Sequence, residues 1–270
     1  MPTEFDLPSA LIAGVQSRDQ AWSFIRGFAD AWMEPLRDGD GYTERELVAA
    51  EDRLGLALPS ALREALALFG KRLDLCRTMQ HLLPPDELHL CDSGLLMFYC
   101  ENQGVWNCCI RPSDISFDDP PTVLRPDCSH EEHYQSGIPW FERLSTACIA
   151  IVLTESLYSH EGALTLYGQL LPDEIAMVGQ RFPTAALPSY PAEHVECDTG
   201  HQWYVDEDVI LSLETYNEPL KHDHPVLPGW DRIGRQADLH VRARTQEALQ
   251  SIRESLPTEW FNWRPVYGRA

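Results

Sequence analysis

The sequence predicts a globular chain that combines helices with strands, and three features predict it. Residues 43–70 carry two amphipathic helical patterns in succession. Residues 95–110 hold two apolar runs divided by a polar turn. From Trp140 to Ile151, apolar residues again recur every three or four positions.

Residues 1–18 read as a loose leader. A helix is predicted over 20–36, where Ala21, Ile25, Phe28 and Trp32 share one face. Asp38-Gly39-Asp40-Gly41 turns the chain. Thr43 and Glu46 have the spacing of a capping box, Leu47, Ala50 and Leu54 form one stripe, and Gly55 suits a left-handed C-cap. Ser60 is placed to cap the next helix, with Leu62, Leu66 and Phe69 as its stripe and Gly70 at its end. Leu95–Cys100 and Val105–Ile110 predict a β-hairpin, and the Pro- and Asp-rich stretch 111–133 reads as loop. Trp140, Leu144, Ala147 and Ile151 predict a third core helix. One or two strands are expected over 162–171, and a loop over 184–191. Trp203–Val205 and 209–213 are expected to pair around Asp206-Glu207-Asp208. Leu239–Ala243 alternates as a half-buried strand should. Thr245 caps a last helix carrying Leu249, Ile252 and Leu256 and stopped by Pro257.

A chain of 270 residues can bury most of its apolar surface on folding, which rules out intrinsic disorder for the bulk of it. Against 21 Lys and Arg stand 42 Asp and Glu, a net charge of −21. That field repels phosphate, which argues against direct nucleic-acid binding and against an anionic membrane surface. It attracts a basic protein and speeds its association. The acidity is local. Residues 114–132 hold six acids against one Arg, and 193–223 hold nine against one Lys. Met1–Val15 lacks the basic n-region of a secretory signal, and no apolar run is long enough for a membrane span, so a soluble, cytoplasmic protein is expected. The eight cysteines form no Cys-x-x-Cys pair and read as reduced, structural thiols.

Catalytic patterns are weak. Cys128, His130 and His133 with Glu131 are the best metal candidate, but the two His are three apart, where a zinc-protease helix needs four. His222-Asp223-His224 lacks a third ligand at recognisable spacing. Thr154-Glu155-Ser156 lacks the glycines of a nucleophile elbow, and no phosphate-binding glycine loop occurs. No cofactor and no catalytic residue are expected.

The string from Tyr42 to Gly70 resembles the opening of the SUKH superfamily, which includes a fungal regulator of cell-wall synthesis and many bacterial immunity proteins. Glu51, Leu54, Gly55, Leu58, Pro59, Leu66, Phe69 and Gly70 carry the resemblance, although the Asn common before the last Gly is replaced by Phe69. The hairpin around Glu101-Asn102-Gln103-Gly104-Val105-Trp106, then Asp119-Pro120-Pro121 and the helix from Trp140, follow in the family's order. The resemblance covers about residues 40–157. It implies an α+β fold, a mixed, largely antiparallel sheet packed with helices. An N-terminal leader and helix over 1–39 and an α+β extension over 158–270 are expected to pack on the same domain.

The resemblance further implies an immunity protein, not an enzyme, that occludes a cognate bacterial toxin, and the acidic stretches 114–132 and 193–223 point to a basic toxin, for example a nuclease. The residues expected to meet it are Glu101, Asn102, Gln103, Trp106, Asp114, Asp118 and Asp119, together with Trp203, Asp206, Glu207 and Asp208. Asn102 and Gly104 have a simpler role open to them, that of shaping the turn. Two rival readings remain, a regulatory interaction scaffold and a metalloenzyme built on Cys128, His130 and His133.

Overall fold

The computed structural model describes residues 5–104, 106–126, 136–158, 163–187, 200–215, 236–258 and 260–261. In chain order its elements are α1 (Leu7–Ile12), α2 (Arg18–Trp32), α3 (Glu44–Leu54), α4 (Ser60–Phe69), α5 (Leu73–Cys76), β1 (His81–Leu82), β2 (His89–Leu90), β3 (Leu96–Cys100), β4 (Trp106–Ile110), β5 (Val123–Pro126), β6 (Ile138–Pro139) and α6 (Leu144–Leu157). Then come β7 (Leu164–Leu170), α7 (Pro172–Arg181), β8 (Gly200–Asp206), β9 (Val209–Thr215), β10 (Ala237–Ala243), α8 (Gln246–Ser255) and β11 (Trp260–Phe261). The fold is α+β. Every strand pairing among the described residues is antiparallel, so the sheets are not mixed.

The chain divides into two compact units, Val15–His160 and a second made of Met1–Gly14 with Glu161–Ala270. Contacts thus draw the boundaries differently from the sequence. Helix α2 clusters with the 40–157 segment, and the leader clusters with the C-terminal part.

In the Val15–His160 unit the strand order is β1-β3-β4-β5-β6, with β2 also paired to β3. Helix α6 is its centre and packs against α2, α4 and α5. Apart from Thr154, every residue of α6 is buried, its polar Ser145, Thr146, Glu155 and Ser156 included. The α3–α4 hairpin forms as its sequence predicts. Thr43 and Glu46 make the reciprocal cap, and Gly55 takes the left-handed conformation at φ 69°. Ser60 differs from expectation. It is the first helical residue, makes no cap, and its hydroxyl donates to Asp118 instead. At Gly41, an added Cβ would sit 1.6 Å from the Ala67 carbonyl oxygen, so only glycine allows that approach. The 111–133 loop is interrupted by β5, which pairs with β4. Four residues ending in Pro126 are too few for alternation to declare a strand.

The second unit is a five-stranded sheet in the order β11-β7-β10-β9-β8. One face is apolar. Leu166, Leu211, Leu213, Leu239 and Val241 meet Val178 of α7 and Leu249 and Ile252 of α8 there. The leader is not loose at its described residues. Asp6 accepts the Ser9 N–H at 3.0 Å to cap α1, whose Leu7 and Leu11 are buried and which packs on β8. Helix α7 was not foreseen, yet it carries start signals, with Pro172 at its first position and Glu174 accepting the Leu171 N–H at 2.7 Å. Strand β10 lies in the middle of the sheet. His240 and Arg242 are therefore buried as well as their apolar neighbours, and the strand is not half-buried.

Candidate functional site

The sequence-predicted partner residues fall in three places. Glu101, Asn102 and Gln103 form the turn between β3 and β4, closed by Gly104 at φ 73°. The Glu101 carboxylate accepts the Gln103 N–H at 2.7 Å, and its carbonyl accepts the Gly104 N–H at 3.0 Å. Asn102 turns inward, with Nδ2 3.4 Å from the Met79 sulfur and a buried Oδ1 that has no hydrogen-bond partner among the described residues. Gln103 alone of the three is exposed. Trp106 is half-buried and tilted against the Tyr99 ring at 6.0 Å. This turn is therefore largely self-contained.

Asp114, Asp118 and Asp119 lie on the loop leaving the other end of β4, about 16 Å along the strand from the turn. Two of them do structural work. The Asp119 carboxylate accepts the Ser145 N–H at 2.8 Å and the Ser145 hydroxyl at 2.6 Å, and so caps α6. Asp118 accepts the Ser60 hydroxyl at 2.5 Å, and its carbonyl accepts the Ala61 N–H at 2.8 Å at the start of α4. Asp118 nonetheless stays exposed, and Asp114 is partly exposed. Between this loop and the α3–α4 connection runs a groove of about 430 Å³, lined by Leu56, Pro59, Pro112, Ile115, Phe117 and Asp118 among others.

Trp203, Asp206, Glu207 and Asp208 belong to the other unit. Trp203 is 3% exposed, so it is a core residue there and not a surface anchor. Asp206 and Glu207 are exposed at the tight β8–β9 turn. Asp208 is tied down by Arg244, whose Nε lies 2.5 Å from its carboxylate.

The same sheet holds a polar group that the sequence reading missed. Cross-strand register puts His201, Glu214, Asp238 and Gln169 in one row, and Trp203, Ser212, His240 and Tyr167 in the next. Glu214 Oε1 lies 3.4 Å from His201 Nδ1 and 3.9 Å from His240 Nε2. The Tyr167 hydroxyl donates to Asp238 Oδ1 at 2.6 Å, and Gln169 Nε2 donates to the same oxygen at 3.0 Å. Burial pulls the His240 pKa down against the pull of Glu214 and Asp238. The one signal available beforehand was that His240 and Arg242 alternate with Leu239, Val241 and Ala243.

A second missed group is Glu155 on α6. It is wholly buried and accepts the backbone N–H groups of Thr78 at 2.6 Å, Met79 at 2.7 Å and Gln80 at 3.0 Å, and the Tyr99 hydroxyl at 2.9 Å. Loss of hydration pushes its pKa up to about 7, although these donors oppose the rise. Its position in Thr154-Glu155-Ser156 belongs to a buried helix and not to a nucleophile elbow. Burial pushes the Cys109 thiol up to about 12, which keeps it protonated near neutral pH.

Among the described residues, no group of three or more His, Cys, Asp or Glu is placed to hold a metal ion. Cys128, His130, Glu131 and His133, and His222-Asp223-His224, lie outside the described residues. So do parts of both acidic stretches. Among the described residues no helix is long and apolar enough to cross a membrane. Compared with family models, with curated proteins and with solved structures, this chain has no match.

Proposed function

We propose that this protein is a non-catalytic binder of one basic protein, and that it acts as the immunity partner of a bacterial toxin. The observation that carries the charge part is the two-to-one excess of acids, 42 against 21 basic residues. Even if every Lys and Arg took one carboxylate, half the acids would stay unneutralised, and the field they leave draws in a basic partner. Asp206 and Glu207 at the β8–β9 turn, and Asp114 and Asp118 on the loop after β4, are acids that reach the surface.

The immunity part rests on the SUKH resemblance of residues 40–157. In support, the α3–α4 hairpin, the β3–β4 hairpin and α6 follow one another in that order. Glu51, one of the residues of the resemblance, accepts the Leu58 N–H at 3.0 Å and an Arg63 Nη1 donor at 2.8 Å, and so holds the connection between α3 and α4. The mechanism is occlusion. Long-range attraction raises the encounter rate, and the bound surface blocks the toxin's substrate path.

The test is capture of partners by the tagged chain from the cells that encode it, followed by co-expression with the captured protein. The expected result is one stoichiometric basic protein whose toxicity the chain relieves. Its association rate should fall on the order of tenfold as salt rises and exposed attraction is screened. A partner that is acidic, or toxicity that co-expression leaves unchanged, overturns the reading.

A further inference from the structure

We propose that the groove between the α3–α4 connection and the loop 112–118 is the docking site for a basic, partly apolar segment of a partner protein, with Phe117 as its anchor. This rests on the basic-partner reading above and names the surface that would carry it.

Both walls are held in place without an occupant. On one side Glu51 fixes the Leu58 amide. On the other, the loop is wound by hydrogen bonds from Asp114 N–H to the Arg111 carbonyl and from Phe117 N–H to the Asp114 carbonyl, each 2.9 Å. The two walls are joined at Asp118, through Ser60 and Ala61. A groove so braced is formed before binding, which lowers the entropy cost of association.

The loop nevertheless leaves Phe117 53% exposed. About half of its surface stays in water, so part of the burial energy a phenylalanine can supply is left unused by the fold. Aromatic residues, phenylalanine among them, are enriched in the cores of protein interfaces. Ser116 and Asp118 are exposed too, so the groove is open along its side. A small molecule would be left half in water there, whereas an extended polypeptide can lie along it.

Charge selects the occupant. Residues 112–124 contain Asp114, Asp118 and Asp119 and no Lys or Arg. Asp119 is committed to α6, but Asp118 lines the otherwise largely apolar groove, and the partly exposed Asp114 lies four residues before it on the same loop. An arginine- or lysine-bearing segment with an aliphatic or aromatic residue between its charges meets both features.

The experiment is selection of random dodecamer peptides on the full chain, with affinities then measured against variants. The expected peptides pair basic with apolar residues. Their Kd should rise about tenfold or more in Phe117→Ala and in Asp114→Lys, and change less than about twofold in the Asp206→Lys/Glu207→Lys double variant. Ser116→Arg, an exposed position, should weaken them as well. Basic peptides indifferent to Phe117 but lost on reversing Asp206 and Glu207 overturn the groove and leave the basic-partner reading standing. Selected peptides without basic residues overturn both. No enrichment overturns the groove.

Discussion

A carboxylate without water must find donors, and Glu155 finds three backbone amides and the Tyr99 hydroxyl. It thereby ties the segment after α5 to the central helix. Its pKa, about 7 in the fold against an ordinary 4.5, means that the folded state holds this proton more tightly than the unfolded chain does. Its contribution is therefore fully present below pH 4.5 and lost as pH rises to 7, by roughly 3 kcal/mol. The difference between wild type and Glu155→Gln in urea midpoint should track that window. The variant itself should cost about 1–3 kcal/mol, because its amide NH2 would face N–H groups. A wild-type-minus-variant difference that stays flat with pH would mean that the donors keep Glu155 charged throughout. Asp119 gives a companion test. Asp119→Ala removes the cap of α6 and should cost about 1–2 kcal/mol, whereas Asp114→Ala should change stability by less than about 0.5 kcal/mol, read by the same unfolding curves.

Among the elements, α3 shows how local signals suffice. Thr43, Glu46 and Gly55 are each needed by the helix end they occupy, so their spacing declares the helix before any packing is known. Thr43→Ala should cost about 1 kcal/mol. It should also raise the Glu46 pKa from about 2 only in part, because the hydroxyl is lost while the backbone amide of residue 43 and Lys71 still hold it low, measurable by NMR titration. Strand β10 shows the opposite case. Its alternation declares a strand, but only its neighbours β7 and β9 make it central and bury His240. Because the unfolded chain binds that histidine's proton more readily, stability is intact above pH 6.5 and falls as pH drops below it. Amide exchange in β10 should quicken on acidification below that point. Exchange unaffected by pH, after correction for the intrinsic rate, would show that Glu214 and Asp238 offset the burial.

At the scale of the whole molecule these two groups act in opposite directions. Glu155 weakens the Val15–His160 unit as pH approaches neutrality, and His240 weakens the other unit as pH falls. Exchange measured across both units from pH 5 to 8 should show the first gaining and the second losing protection at the acid end, relative to each other. Excess negative charge adds a common term, since self-repulsion weakens both units as carboxylates ionise and salt relieves it. Thermal midpoints should therefore rise with added salt at neutral pH.

Read alone, the sequence was enough for whatever a single segment decides. The caps and stripe of α3, the α4 stripe, the β3–β4 hairpin, the Thr245 cap of α8 and the acidity of the chain are all local or additive properties. Tertiary structure alone decided what depends on partners distant in sequence. Thus Trp203, chosen as a surface anchor, is interior. Asp119 serves α6 across 26 residues, and Glu155 serves residues 75 to 77 positions away. Helix α1, β5 and Phe117's place beside a groove were equally hidden, because six- and four-residue elements carry too little periodicity and a groove needs two walls. Hydrogen bonding and burial are satisfied by the nearest donor in space, and nearness in space is what a one-dimensional pattern does not contain.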